Sequence, residues 1–338
     1  MDSIIHIVVG AAVGEAFYGK RLGWKAHILG AFIATFPDFD ILVNFFTDNE
    51  VIKLLAHRSY THSWIIQLLY AFPLVWLTFR IFKRKIPLKN LYIFWIFGLF
   101  LHSFMDLGTT YGIQLLLPFT DHLFAFNNIA VVDPLFTLPF LFLPLIYLFF
   151  KRENDVRRKL TKFAFVYAIC YLMLCTTFKY ISHQKLEKEL ARQNIKYDYL
   201  STSPSMFTNL LWSGIAVSKD SIFVSEYSFF QQKNQLPFVH FAKNYNVSKT
   251  FKSKELETLD WFSQDKFIVE KKQDTLKYYV VKWGRMNFEE TQLDKVFGFH
   301  YELIKLKNTV ELKPVEPKLT INEFKKFFSN LWNRVFCY

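Results

Sequence analysis

Cysteine is scarce, with three in 338 residues. Cys170 and Cys175 lie in an apolar run and Cys337 is penultimate. That pattern excludes a disulfide framework and a C-x-x-C metal knuckle. A basic stripe is also lacking. The net charge of +12 divides evenly, with 17 Lys and Arg against 11 Asp and Glu in residues 1–184 and 24 against 18 in 185–338. Scattered lysines of this kind do not make a nucleic-acid footprint, so no nucleic-acid partner is expected. The opening Met1-Asp2-Ser3-Ile4-Ile5-His6 has neither the basic start nor the small-residue cleavage site of a signal peptide. The first apolar stretch is therefore expected to be retained. Internal repeats and low-complexity linkers are absent too.

What the chain has in quantity is apolar residues, 52% of the total, unevenly distributed. Six apolar segments run at about 4–19, 26–46, 62–82, 91–117, 129–150 and 160–180, near the roughly 20 residues that a spanning helix needs. The first is short and contains His6 and Glu15. The fourth carries Gly108, Gly112 and Pro118, so its helix is expected to end near Gly108, with 109–128 as an ordered loop. Residues 1–184 thus read as a polytopic α-helical membrane domain of about six segments.

Loop charges orient these segments. Lys20, Arg21 and Lys25 follow the first, Arg80 to Lys89 the third, and Lys151 to Lys162 the fifth, whereas the alternate loops are poor in base. Basic loops stay in the cytoplasm. Both chain ends are then expected outside, and residues 185–338 form an extracytoplasmic domain. Within it, 182–194 reads as a short surface helix or stalk with i,i+4 charge spacing. Alternating runs at 214–218, 221–227, 237–242, 266–271, 276–283, 296–305 and 309–314 predict a soluble, mainly antiparallel β (α+β) domain. Ile321 to Phe336 has helical apolar spacing and predicts a closing amphipathic helix.

Against this apolar background stand three polar clusters: Pro37-Asp38-Phe39-Asp40, His57-Arg58-Ser59-Tyr60-Thr61-His62 and His102-Ser103-Phe104-Met105-Asp106. Charge at membrane depth is costly and usually serves a site. The orientation brings all three to the outer face, along with His6 and Asp133. Imidazole with carboxylate is a donor set for a divalent metal ion. His102 and Asp106, i,i+4 on a helix, can reach one ion. His57 and His62, i,i+5, can share one only if His57 precedes the helix body, with Ser59 or Thr61 as a possible cap. Pro37 should break the second segment and let Asp38 and Asp40 project into an enclosed cavity. Either carboxylate could act as general base, and Arg58 suits a phosphate or carboxylate. Asp133-Pro134 reads as a helix-start cap, and His27 as an ordinary helix-contact histidine.

These clusters, with Met1-Asp2, His6, Gly10, Tyr111-Gly112 and Pro118-Phe119, resemble the YdjM-like family of membrane-bound, predicted metal-dependent hydrolases over roughly residues 1–150. The resemblance implies His57, His62, His102 and Asp106 as metal ligands, with His6, Asp38 and Asp40 as further candidates and zinc as the expected ion. Ser59 stands where the family usually has glycine. A distant similarity to zinc-dependent phospholipases C implies phosphoester chemistry on a membrane lipid or lipid-linked substrate, in the bacterial cytoplasmic membrane. The alternative reading is a non-enzymatic metal-binding scaffold or transporter. A transporter requires polar residues continuing toward the cytoplasmic ends of the segments, where few are visible.

Overall fold

The computed structural model describes residues 3–82, 86–231, 236–248, 251–286, 292–306, 309–316 and 320–336. Lys83, Arg84 and Lys85 of the expected basic loop, and Cys337, lie outside the described residues. The chain divides into two compact units, Met1–Phe46 with Ala56–Leu174, and Thr47–Leu55 with Cys175–Tyr338.

The first unit is helical. It begins with α1 (Ser3–Leu22) and α2 (Trp24–Thr35), joined at Gly23. A side chain on Gly14 would meet the Ala26 carbonyl at 2.0 Å, and one on Gly30 would meet the Gly10 carbonyl at 2.1 Å. Glycine therefore sets how closely the two backbones approach, as small residues do between helices in lipid. After Thr35 the chain tightens into a 3-10 helix, Phe36–Phe45, with Pro37 in its first turn. Beyond the short α3 (Glu50–Ala56), which belongs to the second unit but for Ala56, come α4 (Trp64–Ile81), α5 (Leu88–Leu107), α6 (Pro134–Tyr147) and α7 (Asp155–Arg192), of which the first unit takes the part up to Leu174.

Four helical stretches among the described residues are long and apolar enough to cross a membrane: Trp24–Phe45, α4, α5 and α7. Six were expected. Of the other two, α1 has 20 residues with Lys20 and Arg21 in its last turn, and α6 has 14. The outer helices turn large apolar side chains outward, among them Leu69, Phe72, Trp76, Phe163, Ile169 and Met173. Outward apolar faces suit a hydrocarbon solvent. By contrast, α5 is the most enclosed of the four spans. Its helix stops at Leu107, one residue before Gly108, as the sequence predicts.

The expected break between the sixth segment and a separate stalk does not exist. Residues 155–192 contain no glycine or proline, so nothing interrupts the hydrogen-bond ladder and α7 is continuous for 38 residues. Its length of about 57 Å exceeds the roughly 30 Å hydrocarbon core.

The second unit contains two four-stranded antiparallel meanders. The first runs β1 (Tyr199–Pro204), β2 (Leu211–Val217), β3 (Ser221–Ser228) and β4 (Val239–Ala242). After α8 (Tyr245–Ser248) and α9 (Lys254–Ser263) comes the second, β5 (Phe267–Lys272), β6 (Thr275–Val280), β7 (His300–Lys305) and β8 (Val310–Val315), with α10 (Leu293–Phe297) inserted before β7. Ile215, Val217, Ile222 and Val224 share a core with Ile268, Tyr279, Val281 and Val296. The sequence missed β1, whose Ser-Thr-Ser-Pro composition is tolerable only on an edge strand, and α9. It also extended a strand into 296–299, where α10 ends. The closing amphipathic helix is present as α11 (Ile321–Phe336), and Leu331 and Val335 pack with Leu211.

Candidate metal centre

The first step in building the site is the break at Pro37. The Phe36 N–H bonds to the Ile33 carbonyl, an i to i−3 pattern. Pro37, next in that pattern, has no N–H to give Ala34. The Ala34 carbonyl instead accepts from Nδ1 of His102 at 2.6 Å. A proton fixed on Nδ1 leaves the lone pair of a neutral imidazole on Nε2, the usual way a metal-binding histidine is oriented.

His62 is prepared in the same manner. It precedes α4 in a run of turns, with Nδ1 at 3.0 Å from Thr61 Oγ1 and 3.6 Å from Asp40 Oδ2. With the proton on that side, its Nε2 also carries a lone pair. The two Nε2 atoms lie 3.0 Å apart. Asp38 Oδ1 is 3.8 Å from that of His62 and 3.4 Å from that of His102, and Asp106 Oδ2 is 3.3 and 3.6 Å from them. All four donor atoms lie within 4.8 Å of one another. Two lone pairs and two carboxylate oxygens converging in a buried space repel unless a cation sits among them. A tetrahedral divalent ion with bonds of about 2.1 Å requires ligand atoms about 3.4 Å apart. The residues fit such an ion, and Asp38, His62, His102 and Asp106 could hold one.

The remaining expected site residues surround this group. His6 stacks on His102 with ring centres 3.9 Å apart, and its Nε2 is 3.2 Å from Asp106 Oδ1, the oxygen away from the four-atom group. Arg58 has a left-handed backbone (φ +55°). Its Nε lies 3.2 Å from Asp106 Oδ2, a terminal nitrogen donates to Thr109 Oγ1 at 3.2 Å, and the guanidinium covers the Tyr111 ring. The Arg58 side chain is only 7% exposed, so it faces Asp106 and not an open cleft.

Asp40 accepts from the Arg58 backbone N–H at 2.6 Å and lies 3.2 Å from His57 Nδ1. His57 precedes α4, as a shared site would require, yet its ring turns to Asp40 and Tyr111 and lies outside the four-donor group. The left-handed turn at Arg58 separates it from His62. With 34% of its side chain exposed, His57 is the accessible imidazole, and Asp38 at 19% is the accessible carboxylate. Asp133 caps α6 through the Phe136 N–H and accepts from Tyr171, matching the structural reading of that residue. The cap of α4 is Ser63, in place of the expected Ser59 or Thr61.

Several supporting residues escaped the sequence reading. Gln67 donates to Ser103 Oγ at 2.6 Å and to the Thr61 carbonyl, and Ser103 donates to the His62 carbonyl, which locks the His62 backbone onto α5. Their polarity inside apolar segments was the available signal. The loop after α5 straps the turn from the other side, with Gln114 N donating to the Arg58 carbonyl and Ser63 Oγ to the Leu117 carbonyl.

No solved structure matches the chain. The Uncharacterized protein YfhP of Bacillus subtilis (strain 168) is 26% identical over 141 residues, 40% of this chain and 42% of that protein, so the match spans under half of either. The family described as YdjM inner membrane protein matches residues 1–182, from α1 into the second half of α7 and including every residue of the metal centre. With more than half its length matched and its four apolar spans, the chain is an integral inner-membrane protein and belongs to the YdjM family.

Proposed function

We propose that this protein is a membrane-bound, zinc-dependent hydrolase that cleaves a phosphoester in a lipid or lipid-linked substrate. The observation carrying the proposal is the set of four convergent donors with the His102 proton fixed on the far side of its ring by Ala34. A divalent ion held there by Asp38, His62, His102 and Asp106 would supply Lewis-acid polarisation and would make water more acidic. His57 would carry the proton. Asp40 holds its Nδ1 and the side chain is 34% exposed, so in this reading Nε2 takes a proton from the attacking water and returns it to the departing oxygen. Asp40 also stands behind His62, so one carboxylate orients both imidazoles. Arg58 and His6 fix the two oxygens of Asp106.

In this reading α1 and α6 complete a six-helix membrane domain. The basic loops set the orientation, so the centre and the sheet unit lie on the extracytoplasmic side. A site at headgroup level then meets lipid phosphoesters directly.

Elemental analysis of the purified chain tests the metal, with one divalent ion per chain expected. Release of phosphate-bearing product from lipids of the native membrane tests the activity. Asp106→Ala and His62→Ala should abolish both while the protein still assembles in the membrane. Folded wild type without bound metal, or variants with full turnover, would sink the hydrolase. Ion or solute flux into vesicles without hydrolysis would favour transport.

A further inference from the structure

At the far end of α1 from the metal centre lies a cavity of about 570 Å³. Glu15 is nine residues beyond His6, which is about 14 Å along the helix axis. Among the described residues, the cavity lining brings together Lys20 and Arg21 from the end of α1 with Arg152, Arg158 and Lys162 from the start of α7 and the turn before it. The one acid there, Glu15, is already paired with Arg157 through two hydrogen bonds, at 3.0 and 2.7 Å, and His27 Nε2 lies 2.6 Å from its Oε2. Two further acids lie outside the lining. Asp155 meets Lys20 and Glu153 meets Arg152, but all four side chains are more than half exposed. Exposed pairs of this kind hold weakly and yield to a better anion.

Part of the wall is apolar. Phe17 and Phe165 line the cavity, and Phe163 and Val166 continue outward from it along α7 as exposed side chains. Since α7 spans the membrane, its first turns lie where headgroups meet hydrocarbon. A free anion has no use for the apolar walls, whereas an acyl lipid needs them.

We infer that this cavity binds the anionic phosphate headgroup of a phospholipid, with Arg158 and Lys162 on the phosphate and the acyl chains running along Phe17 and Phe165. Clustered lysine and arginine between helices at a membrane surface is the usual form of such a site. The inference is independent of the hydrolase reading, since it uses none of the residues of the metal centre.

Titration of the purified full-length chain in neutral detergent with dihexanoyl phosphatidylglycerol tests it. Binding should be at least about tenfold tighter than for dihexanoyl phosphatidylcholine, and Arg158→Gln with Lys162→Gln should weaken it by about tenfold or more. The charge-keeping pair Arg158→Lys with Lys162→Arg should bind nearly as the wild type does. Arg80→Gln with Lys89→Gln, on another basic loop, should have no effect. If the glutamine pair fails to fold, a photoreactive phosphatidylglycerol must label the wild-type peptides containing Phe17 or Phe165. Labelling elsewhere, equal affinity for both lipids, or an unchanged glutamine pair would overturn the site. Full displacement by inorganic phosphate at the same concentration would show a free-anion site and overturn the lipid.

Discussion

The helical unit buries two ionisable clusters about 14 Å apart along α1, and they differ in how completely they satisfy themselves. Around Glu15, charges and hydrogen bonds close. Both carboxylate oxygens take hydrogen bonds from the Arg157 fork, and His27 sits 2.6 Å from Oε2. The guanidinium also lies over the Tyr147 ring, whose hydroxyl bonds to Thr161. Around Asp106 the arrangement differs. The Nε2 atoms of His62 and His102 lie 3.0 Å apart and face two carboxylate oxygens, with the His102 proton held on the far side of its ring by Ala34, and among the described residues His6 Nδ1 has no hydrogen-bond partner. Residue type alone cannot separate the two, because each mixes histidine, carboxylate and arginine. The first is a lock between α1, α2 and α7. The second has the form of a receptor for a cation. The lock is one of the few polar groups at the other end of the bundle, and fully paired groups make a poor relay.

The sharpest way to break this comparison is to alter one partner in each cluster. Asp106→Asn should lower bound metal and turnover by a thousandfold or more, on the order of what a catalytic ion contributes. Chelation should then lower the melting temperature of the wild type but not of this variant, because only the wild type gains stability from the ion. Arg157→Met should behave in the opposite way. It leaves Glu15 buried without its main partner and should cost about 3–5 kcal/mol in denaturant titration of the full chain. Metal content should stay unchanged. If Arg157→Met instead lowers metal content, the two clusters are one system and the distinction fails.

Beside the metal centre, His57→Gln should keep the ion and lose about a hundredfold in turnover, since a proton carrier contributes about 10²–10⁴. Loss of metal in this variant would return His57 to the ligand set that the resemblance implied.

The smallest effect extends the comparison to the sheet unit. Burial there pushes the Lys266 amine down to about 8. Its Nζ is 3.4 Å from the Gln264 carbonyl and 5.4 Å from the Tyr199 ring centre. Below pH 8 the folded state carries the full cost of the buried charge. Between pH 8 and about 10.4, the free lysine value, the unfolded chain binds more protons than the folded one, so stability rises with pH. Lys266→Met should therefore stabilise the sheet unit at pH 7, by on the order of 2 kcal/mol, and lose that advantage near pH 10.5. Tryptophan fluorescence reports it through the buried Trp212.

Local rules carried much of the architecture. Apolar runs marked α4 and α5, Gly108 marked the end of α5, and alternation marked seven of the eight strands. Propagation hid the true length of α7, since no local signal separates a membrane helix from a polar continuation of the same helix. At the site, the sequence made His102 and Asp106 neighbours because a helix turn does so. Convergence of Asp38 and His62 on them required the change from α to 3-10 helix at Pro37, the left-handed turn at Arg58 and the close approach of α1 to α2. The Glu15–His27–Arg157 lock was invisible for the same reason, with partners up to 142 residues apart.

The sequence by itself determined that this chain has a helical membrane part, a sheet-rich part and a surplus of histidine and aspartate where hydrocarbon disfavours them. Composition and periodicity are properties of neighbours along the chain, and burial energetics follow from them. Only the tertiary structure decided which of those residues face one another with lone pairs and which pair with opposite charge. That depends on distances of a few tenths of an ångström between groups remote in sequence, set by how glycine faces, a proline break and one left-handed turn let the helices meet.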